Sequence, residues 1–239
     1  AFKTSEKRKR QKNKFDIVIM AGGLGTRMRP ISNVLPKPLI PLKERPILDH
    51  IMSSFIQNGF KKFFLIINHH SRLIRSYFHS IKNQKSKIFF NEEKTPLGTA
   101  GGLKLLNKKK ISKNFFVTNC DTIYNVDYDE IIKSHTKLSN MITVVVTKEN
   151  HKIPYGVCKI DDNKISSIKE KPKFTYFANT GLYVLNSEVL NLIPKNKFFD
   201  MTELISKAIK YNMKVGAYKI SPKNWTDLGE IARYEKNIT

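Results

Sequence analysis

Cysteine and long apolar runs are scarce in this chain, and acidic side chains are outnumbered. Among 239 residues only Cys120 and Cys158 are cysteines. Two thiols make no disulfide framework, and their spacing is not the C-x-x-C of a zinc or redox site. A reducing, cytoplasmic compartment is therefore expected. No apolar run approaches the roughly 18 residues that cross a bilayer. The basic N-terminus lacks the apolar core of a signal peptide, so no membrane partner is expected. Twenty Asp and Glu stand against 43 Lys and Arg, a formal charge of +23, and such an excess attracts phosphate and raises the question of nucleic acid. Residues 1–14 hold Lys3, Lys7, Arg8, Lys9, Arg10, Lys12 and Lys14 against Glu6 alone, but most of the excess is spread along the chain. Its lysines sit beside Asn, Ile and Phe, a general bias rather than a focused stripe, so no nucleic-acid partner is expected. What remains is a 40% hydrophobic chain, long enough for one large domain with a real core.

The opening stretch AFKTSEKRKRQKNK has almost nothing apolar to bury and reads as a linker or tail over 1–14. Folded structure is expected over 15–239. Because the chain opens on Ala1 rather than Met, it is expected to be a domain excised from behind an N-terminal neighbour. From Phe15 short β-branched and aromatic runs alternate with longer helical ones, the pattern of an α/β fold with a mainly parallel sheet. Strands are expected over 15–20, 62–68, 87–90, 115–118, 142–147, 181–185 and 214–220, with 155–160 and 164–170 joined as a hairpin by Asp161-Asp162-Asn163. Helices are expected over 47–57, stopped by Gly59, over 71–81, capped by Ser71, and over 101–106. Two more run from Asp127 as cap to 138 and over 201–211. There is no internal repeat.

The first strand runs directly into Ala21-Gly22-Gly23-Leu24-Gly25-Thr26-Arg27-Met28-Arg29-Pro30. Glycines here let backbone N–H groups cradle phosphates without Cβ obstruction, and Thr26 adds a hydroxyl donor. The loop is neither a Walker A sequence nor G-x-G-x-x-G, and glycines alone also fit a tight strand-to-helix turn. Arg27, followed ten residues later by Pro36-Lys37-Pro38, tips the balance. Phosphoryl and nucleotidyl transfers spread negative charge over oxygens in the transition state, and fixed cations stabilise that charge more than the ground state. Arg27 suits a leaving pyrophosphate; Lys37, between two prolines of restricted φ, suits the reacting phosphates. Asp121 follows an apolar strand at its carboxyl end, where open α/β sheets bind ligands, although a lone Asp there also fits a helix or turn cap.

These motifs, in this order, resemble those of the sugar-phosphate nucleotidylyltransferase family, which opens on a pattern close to G-G-x-G-T-R-x-x-P followed by P-K-P. The resemblance runs from Phe15 to the C-terminus through Pro96-Leu97-Gly98-Thr99-Ala100-Gly101-Gly102, Asn119-Cys120-Asp121, Tyr155-Gly156-Val157, Glu170-Lys171-Pro172, Asn179-Thr180-Gly181 and Trp225-Thr226-Asp227-Leu228-Gly229. It implies a Rossmann-like fold of the nucleotide-diphospho-sugar transferase type, a mixed, mainly parallel sheet flanked by helices. It also implies transfer of a nucleotidyl group from a nucleoside triphosphate to a sugar 1-phosphate, with release of pyrophosphate. Mg²⁺ on Asp121 and Asp227 is the implied cofactor, in keeping with an ion that takes few protein carboxylates and fills its shell with water and phosphate oxygens. Arg27, Lys37 and Asp121 are the implied catalytic groups. Ala21, Gly22, Gly23, Gly25, Thr26, Arg27, Pro96, Gly98 and Thr99 would bind the nucleotide. Tyr155, Gly156, Glu170, Lys171, Asn179 and Thr180 would hold the sugar phosphate, against the plainer reading of a hairpin with incidental polar residues. Trp225 reads as a packing residue that fixes its loop. A sugar phosphate oxygen is already a competent nucleophile, so His69, His70 and His135 are expected to be solvated or structural.

By the same resemblance the segment before the Pro-x-Gly turn meets the base, which places Glu93 at its edge, with Glu92 as the other inward candidate. A carboxylate only accepts hydrogen bonds, so it suits the paired donors of guanine or a cytosine amine better than uracil or thymine. GTP is favoured; CTP, UTP and dTTP remain open. Lys43-Glu44-Arg45-Pro46-Ile47-Leu48, Phe199-Asp200-Met201 and Tyr234-Glu235-Lys236 are most similar to the branch fused behind regulatory CBS domains. That branch includes guanylyltransferases for glucosamine and heptose 1-phosphates in bacterial glycan pathways. The analogy implies such an acceptor and a tail that links to an N-terminal CBS-type domain; a homo-oligomer is a further partner state that the sequence leaves open. Two rival readings are a catalytically silent nucleotide-sugar sensor and a nucleic-acid-binding module. The first would be favoured by loss of Arg27, Lys37 or either carboxylate, and all four are present.

Overall fold

A computed structural model describes residues 15–68, 70–81, 86–229 and 234–235. The tail 1–14, His69 and Lys236 of the last motif lie outside them. Seven strands share one sheet: β1 (Asp16–Ala21), β2 (Lys62–Ile67), β3 (Lys87–Glu92), β4 (Asn114–Asn119), β5 (Ile142–Lys152), β6 (Lys173–Asn186) and β7 (Val215–Ile220). Their order is β7-β5-β6-β4-β1-β2-β3, and β6 alone of the seven runs antiparallel to its neighbours. The mixed, mainly parallel sheet expected from the sequence is what forms. The chain steps from β1 outward to β2 and β3 and then crosses back to β4 on the other side of β1. The order therefore switches between β1 and β4, where such sheets open a crevice at their carboxyl ends.

β1 shows why its run is apolar throughout. Ile17, Ile19 and Ala21 join one core layer while Val18 joins the other, so both faces of the strand are covered. The first layer packs Ile47, Leu48, Ile51 and Phe55 of α1 (Ile47–Gln57), Ile74 and Phe78 of α2 (Ser71–Ser80), and Tyr128 and Ile131 of α3 (Tyr128–Lys137). The second packs Met201, Leu204 and Ala208 of α4 (Met201–Lys210) with Ala100 and Leu103 of a short helix and 3-10 turn spanning 98–105. Phe55, Phe60, Phe116 and Tyr128 meet at ring-centroid distances of 4.5–5.9 Å.

Asp127 caps α3 as expected, accepting from the Asp129 and Glu130 N–H groups at 2.9 and 3.1 Å. Ser71 does not cap α2. The residue before the helix, His70, is left-handed with φ 57, and the Ser71 hydroxyl donates instead to Glu92 at 2.7 Å. The carboxylate across the sheet edge outcompetes the orphan N–H groups of the first turn. β5 and β6 run longer than expected because their outer halves pair with each other, Lys152 against Lys173 through Lys148 against Phe177. Alternation is weak there because both faces are largely exposed. The hairpin is present over Val157–Asp161 and Lys164–Lys169, with Asp162 and Asn163 at positive φ, as its two-residue turn requires. An antiparallel ribbon, Thr122–Tyr124 with Trp225–Asp227, has too few residues to show a period in the sequence.

Candidate active site

Strand register makes the first assembly. Met20 lies opposite Asn119 and Ala21 opposite Ile67, while Ile67 lies opposite Glu92. The glycine loop, Glu93 and Asp121 thus leave the sheet side by side, although up to about a hundred residues separate them in sequence. Around them lies a cavity of about 410 Å³ lined by Gly22, Gly23, Gly25, Thr26, Arg27, Lys37, Glu93, Pro96, Gly98, Thr99 and Asp121. Ala21 is buried beneath it. A second cavity of about 190 Å³ is lined by Arg27, Asp121, Asn179, Thr180, Trp225 and Asp227. Arg27 and Asp121 border both, so the two spaces adjoin there.

The glycine loop does not enter an α-helix. Gly25, at φ +64, precedes a 3-10 turn over Thr26–Met28. A Cβ on Gly25 would stand 3.2 Å from Ser32 Cβ and 3.3 Å from Lys37 Cβ. The tight turn therefore seats Lys37, itself at the start of the 3-10 turn Lys37–Leu39. Lys37 is 8% exposed, and its ammonium meets Asp121 Oδ2 at 2.5 Å. The short ribbon supplies the other carboxylate: Asp227 pairs with Thr122, and the Leu228 N–H donates to Asp121 O at 2.8 Å. A Cβ on Gly229 would lie 2.8 Å from Asp227 Oδ1, 3.0 Å from Asp121 Oδ2 and 3.5 Å from an Arg27 terminal nitrogen. Two carboxylates and a guanidinium therefore converge over one glycine.

Other expected residues are committed to the frame. The Thr99 hydroxyl donates to Asp200 Oδ1 at 3.0 Å and accepts from the Met201 N–H at 2.8 Å, clamping the start of α4. The Thr180 hydroxyl donates to Val145 O at 2.8 Å, and Thr180 O accepts from the Trp225 indole and the Tyr124 hydroxyl. Trp225 thereby ties its ribbon to β6, the packing role expected of it. The ladder between β5 and β6 breaks between Asn179 and Tyr183, and such a break re-aims side chains. Asn179 donates to the Tyr183 hydroxyl at 2.8 Å. Tyr155, Gly156, Glu170 and Lys171 border neither cavity. They cluster at the base of the hairpin, where the Lys171 N–H donates to Tyr155 O, Lys171 and Glu170 pair at 3.6 Å, and Tyr155 is 73% exposed.

Of the two adjacent glutamates, Glu93 lines the cavity, whereas Glu92 turns outward to Ser71 and Arg75. Burial pushes the Glu93 carboxyl up to about 7, slightly opposed by the Leu97 N–H. The Cys120 thiol, also in the lining, is pushed up to about 12 by burial and by neighbouring Asp121, which leaves it an inert thiol. His135 is structural: it is buried, its Nδ1 meets Thr143 Oγ1 at 2.8 Å, and burial lowers it to about 4. Met20, Leu24, Leu97, Asn119, Phe198 and Asp200 also line the first cavity and are not among the site residues expected from the sequence. The pattern Phe199-Asp200-Met201 was the available signal, but its link to the cavity runs through Thr99, which the sequence does not reveal.

A family model described as nucleotidyl transferase matches residues 16–238. A mannose-1-phosphate guanyltransferase 2 of Candida glabrata is 32% identical over 225 residues, which cover 89% of this chain and 61% of the relative. A UTP-glucose-1-phosphate uridylyltransferase of Synechocystis is 28% identical over 240 residues, covering 92% of this chain and 62% of the relative. The chain thus spans about three fifths of the length of those relatives. Among solved structures, HddC from Yersinia pseudotuberculosis complexed with GMP-PN aligns with a TM-score of 0.73 at 27% identity, covering 94% of this chain and 98% of that one.

Proposed function

The chain belongs to the nucleotidyl transferase family, and from that premise we propose that it transfers a nucleotidyl group from a nucleoside triphosphate to a sugar 1-phosphate, releasing pyrophosphate. The observation that carries the reading is the convergence of Arg27, Lys37, Asp121 and Asp227 where the two cavities adjoin. The larger space suits the nucleotide and the smaller the acceptor phosphate.

In this reading Arg27 and the glycine-loop N–H groups hold the triphosphate, with Arg27 taking the charge that grows on the departing pyrophosphate. Lys37, held against Asp121, supplies its ammonium to a phosphate oxygen of the triphosphate. An acceptor phosphate oxygen attacks the α-phosphorus in line, and the bond to the pyrophosphate oxygen breaks. No general base is needed, because the attacking oxygen is already anionic. The carboxylates fit Mg²⁺: two hard oxygen ligands converge, a cation already neutralises one of them, and room for substrate oxygens lies alongside. Asp121 and Asp227 would hold the ion, which when bound neutralises charge on the reacting phosphates. Tyr155, Gly156, Glu170 and Lys171, clustered at the base of the hairpin, bind the acceptor's sugar.

GTP is the favoured donor, supported by the cavity-facing Glu93, by the guanyltransferase relative and by the GMP-PN complex of HddC. A glucosamine-type or heptose 1-phosphate is the favoured acceptor. The test is a pyrophosphate-release screen crossing GTP, CTP, UTP, dTTP and ATP with glucosamine, heptose, mannose and glucose 1-phosphates. GTP with one of the first two acceptors is the expected pair. Preference for UTP or dTTP would sink the donor assignment, and no pyrophosphate from any pair would sink the reaction.

A further inference from the structure

Asn119 is the last residue of β4 and borders both cavities, as Arg27 and Asp121 do. Those two carry charge suited to phosphate and metal, whereas the Asn119 amide is neutral. It is half-buried and has no hydrogen-bond partner among the described residues. The other neutral polar side chains of the smaller cavity are committed to the protein. The Thr122 hydroxyl donates to Asp121 Oδ1 at 3.1 Å, the Thr180 hydroxyl to Val145 O, the Trp225 indole to Thr180 O, and Asn179 to the Tyr183 hydroxyl. Room is kept for the free amide. The pairing of β4 with β6, Thr118 opposite Leu182, brings Asn119 level with Gly181, and a Cβ there would stand 2.6 Å from Asn119 Nδ2. Any side chain at 181 would displace the amide, and φ +83 independently calls for glycine.

An amide offers an N–H₂ donor beside a carbonyl acceptor. A phosphate presents only acceptors to it and leaves the carbonyl unused, whereas a sugar hydroxyl, donor and acceptor at once, suits both sides. The reacting phosphates must meet where the cavities adjoin, beside Arg27, Asp121 and Asp227. Asn119 reaches that same junction on a short side chain, so the part of the acceptor next to it is the part next to the phosphate. In a sugar 1-phosphate that part is C1, flanked by the ring oxygen and by C2, and of these neighbours only C2 carries a group that differs between sugars. Resting on the nucleotidyl transfer argued above, we propose that Asn119 reads the C2 substituent of the acceptor and so sets acceptor specificity. A hydroxyl there engages both sides of the amide, and an ammonium engages its carbonyl.

The test compares an acceptor active in the screen with its 2-deoxy analogue, on the full chain. In the natural chain kcat/KM for the 2-deoxy compound should be about tenfold lower, the effect of one hydrogen bond. Asn119→Leu, close in shape but without donor or acceptor, should lose about tenfold on the parent acceptor and nothing further on the analogue, so that their ratio collapses to about one. Asn119→Ala should do the same, and both variants should leave GTP binding, measured by calorimetry without sugar phosphate, unchanged. A residue that only held Asp121 or the fold would lower both acceptors alike and leave their ratio standing. That result overturns the proposal and leaves nucleotidyl transfer in place, as does a natural chain indifferent to the C2 group. Absence of pyrophosphate from every pair overturns the reaction instead. Calorimetry with glucose 1-phosphate and 2-deoxyglucose 1-phosphate then decides the role of Asn119: a preference for the former that Asn119→Leu erases keeps it as the reader of C2, and no such preference removes it.

Discussion

The two aspartates illustrate how little of a site one residue carries. Asp121 has a backbone partner in Leu228 and an ammonium partner in Lys37, and Asp227 accepts from the Gly229 N–H at 2.7 Å. Each is pre-oriented, so Asp121→Asn and Asp227→Asn should fold normally and yet lower pyrophosphate release in saturating Mg²⁺ by at least about a hundredfold. Near-full turnover in either variant would remove that residue from the metal site. His135 carries a different consequence. It is held neutral, lowered from 6.5 to about 4, so below pH 6.5 the unfolded chain takes up the proton that the folded one refuses. Stability is therefore full above about pH 6.5 and falls as the pH drops toward 4. Thermal midpoints measured across that window should decline less in His135→Gln than in the natural chain.

At the scale of elements, core and periphery separate cleanly. α1 is tied to the sheet by Phe55, which is fully buried and meets Phe116 of β4 at a centroid distance of 5.9 Å. Phe55→Ala should cost about 3–5 kcal/mol in denaturant unfolding. The hairpin is the opposite case, with Tyr155, Ile160, Ile165 and Ile168 all exposed. Tyr155→Ala and Lys171→Ala should therefore leave the thermal midpoint unchanged within about 0.5 kcal/mol of stability. Both should raise KM for the sugar phosphate and spare KM for the nucleotide; equal effects on the two would show that the hairpin does not serve the acceptor. The element boundaries that sequence missed lie in this same region. β5 continues past residue 147 and β6 begins at Lys173, ahead of the expected 181, and these outer stretches are largely open on both faces, so no burial imposes the alternation from which a strand is read.

At the scale of the molecule, the groups proposed for the reaction stand apart from what holds the fold. Both hydrophobic layers are apolar and continuous along the sheet, while the carboxylates sit at the crevice. Chelation of divalent ions should therefore abolish pyrophosphate release without moving the thermal midpoint, and added Mg²⁺ should restore it. A midpoint that falls on chelation would mean that the ion is structural.

By itself the sequence determined the alternation of strands and helices, the glycine loop after β1, and the ordered motifs around Lys37, Asp121 and Asp227. Those follow from local pattern: burial on two faces, turn chemistry, and residue types that suit phosphate. Only the tertiary structure decided which glutamate faces the cavity, because Glu92 and Glu93 differ by one pleat at a strand end. It also decided that Thr99 clamps α4 and that Lys37 rests on Asp121. Above all it brought Asp227 to Asp121 from more than a hundred residues away, through a ribbon of three residues per strand. So short a pairing has no period to read, and its register comes from contacts that exist only once the sheet has formed.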